Sequence, residues 1–467
     1  MFSLGRRKFV RCLRYNVRVP SCLKESVVCQ SSAKPLATAD FLKGALHKKH
    51  PGLTNLKTIK LPEKLEQAAL SILQGRDVKA LSVRAHKLTN FLWSRKREIS
   101  DSKLRENAIL LEKKYFALEE DVDIDNVEPG FGALIRKNVL CELRRTTCHR
   151  IAIRYNEDIG MVYMMARLAG GYAAVFRALS EIKKREASFA PCSLLDFGSG
   201  LGTGAWASHS LWGDSLNEFV CVDSSGDMNR LAEKLLVEGS EEEKPAFKHV
   251  YFRQFLPVSP EVQFDLVVAA FSLSELANLK ERINTVTTLW TKTKSYLVLV
   301  ENGTKDGHQL LMEAKDAILK AQEEKQWDPR KPSVFAPCTH QQTCPKLTEK
   351  YVLPCNFPQF YNSLKSKSLQ TQEKQLERFS YLILSRSEED TAQNPEPWHL
   401  ARIISQVHCR TRHVQCKLCC ADGKIKQLTI STRRQGKDMY RCARNSNWGD
   451  LLPVFVEKDG DVENEDL

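Results

Sequence analysis

Gly198, Gly200 and Gly202 stand two residues apart in the run SLLDFGSGLGTGAWA. An apolar run that ends in a glycine turn and passes into helix-forming residues is suited to cradling a nucleotide. Glycines lack a Cβ, so the turn tightens and its backbone comes close to a ligand, while the helix start offers unpaired N–H donors. Asp223 ends the next apolar run, FVCVD, about 20 residues on, where a carboxylate can accept both hydroxyls of a ribose. A nicotinamide fingerprint would read G-x-G-x-x-G. Here the third glycine comes one residue early, at Gly202, and Gly204 does not restore the pattern. Taken with Asp196, an acid inside the first run, the spacing favours S-adenosylmethionine over a nicotinamide. A sheet with an empty cradle is the alternative, because glycine turns also persist for packing.

The chemistry such a cofactor would serve is harder to place. FDLVVAAFSLSEL sets Asp265 at the start of a later apolar run and Phe271 to Glu275 at its end, beside the expected methyl group. Enzymes that methylate amino groups of nucleic acids usually carry Asn/Asp-Pro-Pro-aromatic there, and cytosine C5 enzymes need a Pro-Cys nucleophile. This stretch has neither. Glu275 could act as a base, against the commoner role of a helix-start carboxylate facing the macrodipole. No catalytic residue is assigned.

A second constellation is built from sulfur. SVFAPCTHQQTCPKLTEKYVLPCNF supplies Cys338, Cys344 and Cys355, each beside a proline (Pro337, Pro345, Pro354) that stiffens its loop and lowers the entropy cost of convergence. A closed tetrahedral zinc site or a cubane cluster needs a fourth ligand. RHVQCKLCCADG offers Cys416, Cys419 and Cys420, Cys409 lies just upstream, and His340 is a further candidate. The spacings match no standard finger or ferredoxin pattern, so spacing does not name the metal. Reduced, buried cysteines are the alternative. A third cluster is basic: Arg410, Arg412, His413, Arg433, Arg434, Lys437, Arg441 and Arg444, interleaved with Tyr440 and Trp448. Cationic side chains contact phosphates and aromatics stack on unpaired bases, a pairing suited to RNA, although a solvated basic face would read the same way.

The elements that must position these residues follow from periodicity. At 467 residues the chain holds two or three units. No apolar run reaches about 18 residues, so no membrane span is expected. Residues 1–30 hold seven basic residues and one acid, which accounts for six of the thirteen net positive charges. Arg-rich, acid-poor and without a continuous apolar segment, residues 1–35 read as a mitochondrial presequence, with a disordered basic arm as the alternative. The fifteen cysteines are then expected as thiols or ligands in a reducing matrix, not as disulfides. Residues 36–160 read as helical, with Leu65, Ala68, Ala69 and Ile72 at helical spacing, and with HKKHPGLTN leaving His47, Lys48, Lys49 and His50 in a basic loop. A small-residue helix from about Gly160 to Lys184 opens a core over residues 161–390. There SLLDF, FVCVD, VYFRQF, FDLVVAAF, SYLVLVE and FSYLILS alternate with helices, as in a parallel α/β sheet. The Cys- and Pro-rich insert covers 327–358. A basic, β-rich unit follows over 395–456, with KQLTIST and DMYRCAR read as β-like, and 457–467 is an acidic tail.

With these parts in place, the chain resembles class I methyltransferases in its glycine segment. As a whole it resembles a methyltransferase-like family of small mitochondrial ribosomal subunit assembly factors. The carriers are KHPGLTNLK, LLDFGSGLGTGAWA, FSLSEL, VENGTKDG, FAPCTHQQTC with the later LPCNF, and GKDMYRCARNSNWGDLLP. The resemblance implies a Rossmann-like core in which Asp196 helps to hold the methionine amine. It also implies a four-cysteine [4Fe–4S] cluster on Cys338, Cys344, Cys355 and a fourth residue in the LCC segment, assigned to Cys419 with Cys416 and Cys420 beside it. It implies a matrix factor that binds small-subunit rRNA among ribosomal proteins and supports translation, with methyl transfer weak or lost. An active rRNA methyltransferase is the alternative, and a small-molecule methyltransferase is disfavoured by the basic C-terminal unit.

Overall fold

The computed structural model describes residues 41–95, 101–117, 131–146, 153–237, 244–324, 330–348, 353–364, 374–387 and 399–454. The expected presequence and acidic tail lie outside the described residues. Helices α1 (Glu63–Leu73), α2 (Val78–Ser94), α3 (Asp101–Ala117) and α4 (Phe131–Thr146) precede the main core. In α1 the stripe Leu65, Ala68 and Ala69 is buried, as its spacing requires. The Asp77 carboxylate caps α2 by accepting from the Lys79 and Ala80 N–H groups.

The long helix α5 (Glu157–Arg185) starts under an Asn156 cap, with Glu157 and Asp158 in its first turn and Lys183, Lys184 and Arg185 in its last. Charges so placed complement the helix dipole. By length and composition α5 could cross a bilayer, unlike anything expected from the apolar runs. Here 67% of its most apolar window is buried within the protein. Its small residues let the main sheet come close.

That sheet takes β1 (Ser193–Phe197), α6 (Thr203–Trp212), β2 (Glu218–Val222), α7 (Gly226–Leu236), β3 (Val250–Arg253), β4 (Phe264–Ala270), α8 (Leu279–Thr291) and β5 (Thr293–Asn302) in turn. It continues through α9 (Lys305–Glu324), β6 (Lys331–Ala336), β7 (Phe357–Asn362) and β8 (Lys374–Ser387). The order is β3-β2-β1-β4-β5-β8-β6, with β7 also on β8. Strands β3 to β5 run parallel, and β8 returns antiparallel to β5. Side chains alternate between two cores: Leu194, Leu266 and Val268 face α5, α6 and α7, while Leu195, Val267 and Ala269 face α8 and α9. This is the doubly wound class I methyltransferase-like core. The strand order reverses between β1 and β4, which opens a crevice at their C-terminal ends.

The cysteine-rich insert contributes β6 and begins β7, two strands its sequence does not announce. Pro332 and Pro358 interrupt their patterns, yet β6 is an edge strand, and β7 pairs along its length with β8 and meets Ile59 on its other side through a single bridge at Tyr361, so a missing N–H is tolerated.

A second sheet holds β9 (His399–Ile403), β10 (His408–Cys409), β11 (His413–Cys419), β12 (Ile425–Ser431) and, after helix α10 (Thr432–Asn445), β13 (Leu451–Val454). Its order is β10-β11-β9-β13, with β12 on β11. The KQLTIST stretch is β12, but DMYRCAR is helical. Met439, Cys442 and Ala443 recur at helical spacing on the buried side of α10, and the Ser431 hydroxyl accepts from the Arg434 N–H at its start. Gly436, at φ 85°, kinks the helix after its first turn.

The HKKHPGLTN segment is a clasp on this unit rather than a free loop. His47–Lys49 form a 3-10 turn, His50 is fully buried with Nε2 3.0 Å from Ser446 Oγ, and the Leu451 N–H donates to the Gly52 carbonyl at 2.8 Å. The Asp450 carboxylate accepts from the Thr54 and Asn55 N–H groups at 2.6 and 2.9 Å.

Candidate functional site

The cradle forms where β1 turns into α6. Gly198, Gly200 and Gly202 have φ of 65°, 51° and 72°, all in the left-handed region that glycine enters without penalty. Gly204 is needed for a different reason: a Cβ there would lie 2.6 Å from the Asp196 carboxylate. Asp196 is buried beneath the helix start and accepts from the Ala205 N–H at 3.2 Å. Burial pushes its carboxyl up to about 7, and nearby Asp223 adds to the effect against the opposing backbone donors.

Asp223 reaches across the turn. Its two oxygens accept from the Gly200 N–H at 2.9 Å and the Ser225 N–H at 2.8 Å, and burial raises its pKa. A carboxylate accepts about four hydrogen bonds, so ribose hydroxyls could join these backbone donors. Buried polar atoms without a protein partner gather at the same strand ends: Ser199 Oγ, Ser272 Oγ and Glu301 Oε2. Such atoms are costly unless something polar meets them. The residues present therefore suit an adenosyl ligand. Glu301 is fully buried at the end of β5, accepts from the Ser274 N–H at 3.1 Å and is pushed up to about 7 by burial. Sequence reasoning passed over it, although an acid inside the apolar run SYLVLVE was the same signal that marked Asp196.

Beyond the cradle, the end of β4 is braced. Phe271 has φ 57°, and the Arg167 guanidinium lies 4.5 Å over its ring. Arg167 in turn donates to Glu377 at 3.0 Å and to Asn302 at 3.3 Å. Glu275 ends a three-residue 3-10 turn and has no helix dipole to face. It pairs with Arg95 at 2.5 Å and accepts from the Tyr155 hydroxyl at 3.1 Å. A carboxylate held this way is a poor base.

The cysteines converge from three segments. Cys338 and Cys344 lie on the loop after β6, Cys355 just ahead of β7, and Cys419 ends β11 of the second sheet. All four line one cavity together with Pro337, Pro345, Lys346, Arg402 and Ile404. Cys416 and Cys420 are packed in the second unit's own core, and Cys409 is exposed. Burial pushes the Cys338 and Cys355 thiols up to about 11 and about 12, and raises Cys344 and Cys419 as well. Neighbouring thiols add to the rise at Cys338, Cys355 and Cys419. His340 Nε2 lies 3.4 Å from Cys419 Sγ, and His308 Nε2 lies 3.6 Å from Cys344 Sγ. Among the described residues no three such side chains stand close enough to grip an ion as placed. Four soft donors around one buried cavity fit a thiophilic metal or cluster in kind.

Arg402 joins this cavity to the core. Its guanidinium donates to the Pro337 carbonyl at 2.7 Å, to the Gly449 carbonyl at 2.8 Å and to Glu181 of α5 at 2.5 Å. The Tyr381 hydroxyl donates to Glu181 at 2.6 Å. Burial alone would raise the Glu181 carboxyl, but Arg402, Arg177 and Arg185 hold it at about 2.

Of the basic cluster, Arg410, Arg412, Arg433, Arg434, Lys437, Arg441 and Arg444 are exposed, and His413 and Tyr440 are half-buried. Arg444 donates to the Tyr440 hydroxyl at 2.9 Å. Trp448 does not stand with them. It packs on the main core, with the Arg378 guanidinium 5.3 Å from its ring centre.

Comparison with known proteins bears on what this arrangement is for. A human relative, the mitochondrial ribosome assembly protein METTL17, is 47% identical over 417 residues, covering 89% of this chain and 88% of that one. The Rsm22-cox11 tandem protein 2 of Schizosaccharomyces pombe, also mitochondrial, is 26% identical over 63% of this chain, which spans 43% of that longer protein. A solved ribosomal protein L11 methylase from Lactobacillus delbrueckii subsp. bulgaricus has 14% identity over 45% of this chain and 76% of its own, with a TM-score of 0.27. That score is too low to bear on function, and the strand order carries the fold. The family model described as mitochondrial small ribosomal subunit Rsm22 matches residues 157–453, from the start of α5 to the last strand of the second sheet. By that match and the 47% identity, the chain belongs to the mitochondrial Rsm22 family.

Proposed function

We propose that the protein is an assembly factor of the mitochondrial small ribosomal subunit that docks on its rRNA, with the methyltransferase-like core as scaffold. The observation that carries this reading is the row of exposed cations on α10 and β10–β11 in a chain of this family. Arg433, Arg434, Lys437 and Arg441 meet phosphates, and half-buried Tyr440, held by Arg444, offers a ring edge to an unpaired base. Cys338, Cys344, Cys355 and Cys419 would hold a [4Fe–4S] cluster that staples the second sheet to the core, and their burial keeps water from the sulfurs. Asp196, Gly198, Gly200, Gly202 and Asp223 would seat S-adenosylmethionine, which supplies an activated methyl group when bound. Residues 1–35 would be removed on import to the matrix.

Catalysis is not needed for this role. The end of β4 presents Phe271 under Arg167 and Glu275 in an ion pair, so neither supplies a free base there. A second reading, an active rRNA methyltransferase, is favoured by the unpartnered Ser199, Ser272 and Glu301 atoms, which suit a bound cofactor. The test is depletion of the protein followed by sedimentation of mitochondrial ribosomes, with crosslinking of the tagged protein to RNA. Loss of the small-subunit peak and crosslinks to small-subunit rRNA are expected. A normal peak, or crosslinks to other RNAs alone, would overturn the proposal.

A further inference from the structure

The clasp and the C-terminal end of α5 border a half-open cavity of about 300 Å³. Lys48 and Lys49 of the 3-10 turn and Lys184 of α5 line it, beside Thr54, Asn55 and Glu181. The Thr54 hydroxyl donates to the Gly449 carbonyl at 2.7 Å, and the Asn55 amide donates to the Trp448 carbonyl at 2.7 Å. Glu181 is the acid in the wall, and Arg402 and Arg177 already neutralise it. Lys184 donates one N–H to the Leu53 carbonyl and keeps two more. The cavity therefore carries a surplus of positive charge with donors to spare, and it suits an anion.

Its position says which anion. His47 Nε2 lies 2.8 Å from Asp438 Oδ1, and His50 is bonded to Ser446, so the turn bearing Lys48 and Lys49 lies against α10. That helix exposes Arg434, Lys437 and Arg441. The basic surface thus runs from α10 across the clasp to the end of α5, crossing the junction of the two sheets. An extended polyanion can follow such a track, whereas a single small anion would use one end of it.

We propose that this lysine-lined cavity is a second seat for the rRNA backbone, so that one RNA segment is gripped by α10 and by the N-terminal clasp together. The proposal rests on the rRNA-binding reading above and adds a place to it. The seat is preformed, because the hydrogen bonds of Asp450 fix the loop that walls it, and little ordering entropy is lost when a phosphate enters.

The experiment compares the full mature chain with two double variants, Lys48→Glu/Lys49→Glu in the seat and Arg434→Glu/Arg441→Glu on α10. Each is titrated with a small-subunit rRNA transcript over about 50 to 200 mM salt, where each phosphate contact weighs heavily. Both pairs are exposed. Near-UV circular dichroism checks the fold, and Lys48→Ala/Lys49→Ala serves as the milder version. The seat variant is expected to bind at least tenfold more weakly, with its salt slope reduced by about 1 to 2. If the α10 variant loses affinity while both seat variants keep it, the second seat is wrong and RNA binding stands. Unchanged affinity in every variant would sink RNA docking itself. Loss of binding to an acidic ribosomal protein, with rRNA affinity intact, would reassign the cavity to a protein partner.

Discussion

Asp196 sets the terms at the cradle. With its carboxyl held near 7, it is half neutral at neutral pH, and only the ionised form pairs with a methionine amine. S-adenosylmethionine affinity is expected to rise as pH climbs from 6 to 8, and Asp196→Asn should bind weakly with a flat profile; calorimetric titration at several pH values decides it. The fold feels the same group in the opposite sense. A folded pKa above the ordinary value of 3.8 means that stability from this group is present below that value and is lost as pH rises towards 7. Gly204→Ala should drive a methyl group into that carboxylate, costing about 1–3 kcal/mol in denaturant unfolding. The glycine spacing and both acids were legible, because a turn and its flanking strands are local. In sequence Gly204 only fails a motif, since its reason, a carboxylate of β1 directly opposite, exists in three dimensions alone.

Elements are held by contacts that cross hundreds of residues. Arg402 and Glu181 are both nearly fully buried, and removing one leaves the other's charge stranded. Arg402→Met is expected to cost about 3–5 kcal/mol and to open the junction to protease. Unchanged melting and cleavage would show that the pair does not hold the two sheets together. His50 gives the clasp an acid limit. Burial lowers its pKa from 6.5 to about 4, with Asp450 opposing and Lys184 and His47 reinforcing. Its folded form resists protonation, so stability present above pH 6.5 is lost as pH falls towards 4, on the order of 3 kcal/mol in all. His50→Gln should flatten that part of the pH–stability curve. None of this was visible in HKKHPGLTN, which reads as a basic loop until Ser446 and Asp450 arrive from the other end of the chain. DMYRCAR differs for a related reason: seven residues hold too little of a 3.6-residue period to outweigh the strands around them, and Ser431, which caps the helix, reads as part of the strand KQLTIST.

At the scale of the whole molecule, two sheets meet along α5, and the cysteine cavity lies where they touch. Class, strand runs and basic face followed from periodicity and charge, whereas the alignment of Cys419 with three insert cysteines depended on how β11 docks. Iron, sulfide and visible absorbance of anaerobically purified protein should show a cluster, and Cys419→Ser should lose it while Cys416→Ser keeps it. Stoichiometric zinc without colour would contradict that assignment. That this fold serves the ribosome as a scaffold, as proposed, can be checked most directly by sedimenting mitochondrial ribosomes from cells whose sole copy carries Asp223→Ala. A normal small-subunit peak is the expected result. A missing peak, together with the loss of a methyl group from small-subunit rRNA, would contradict it.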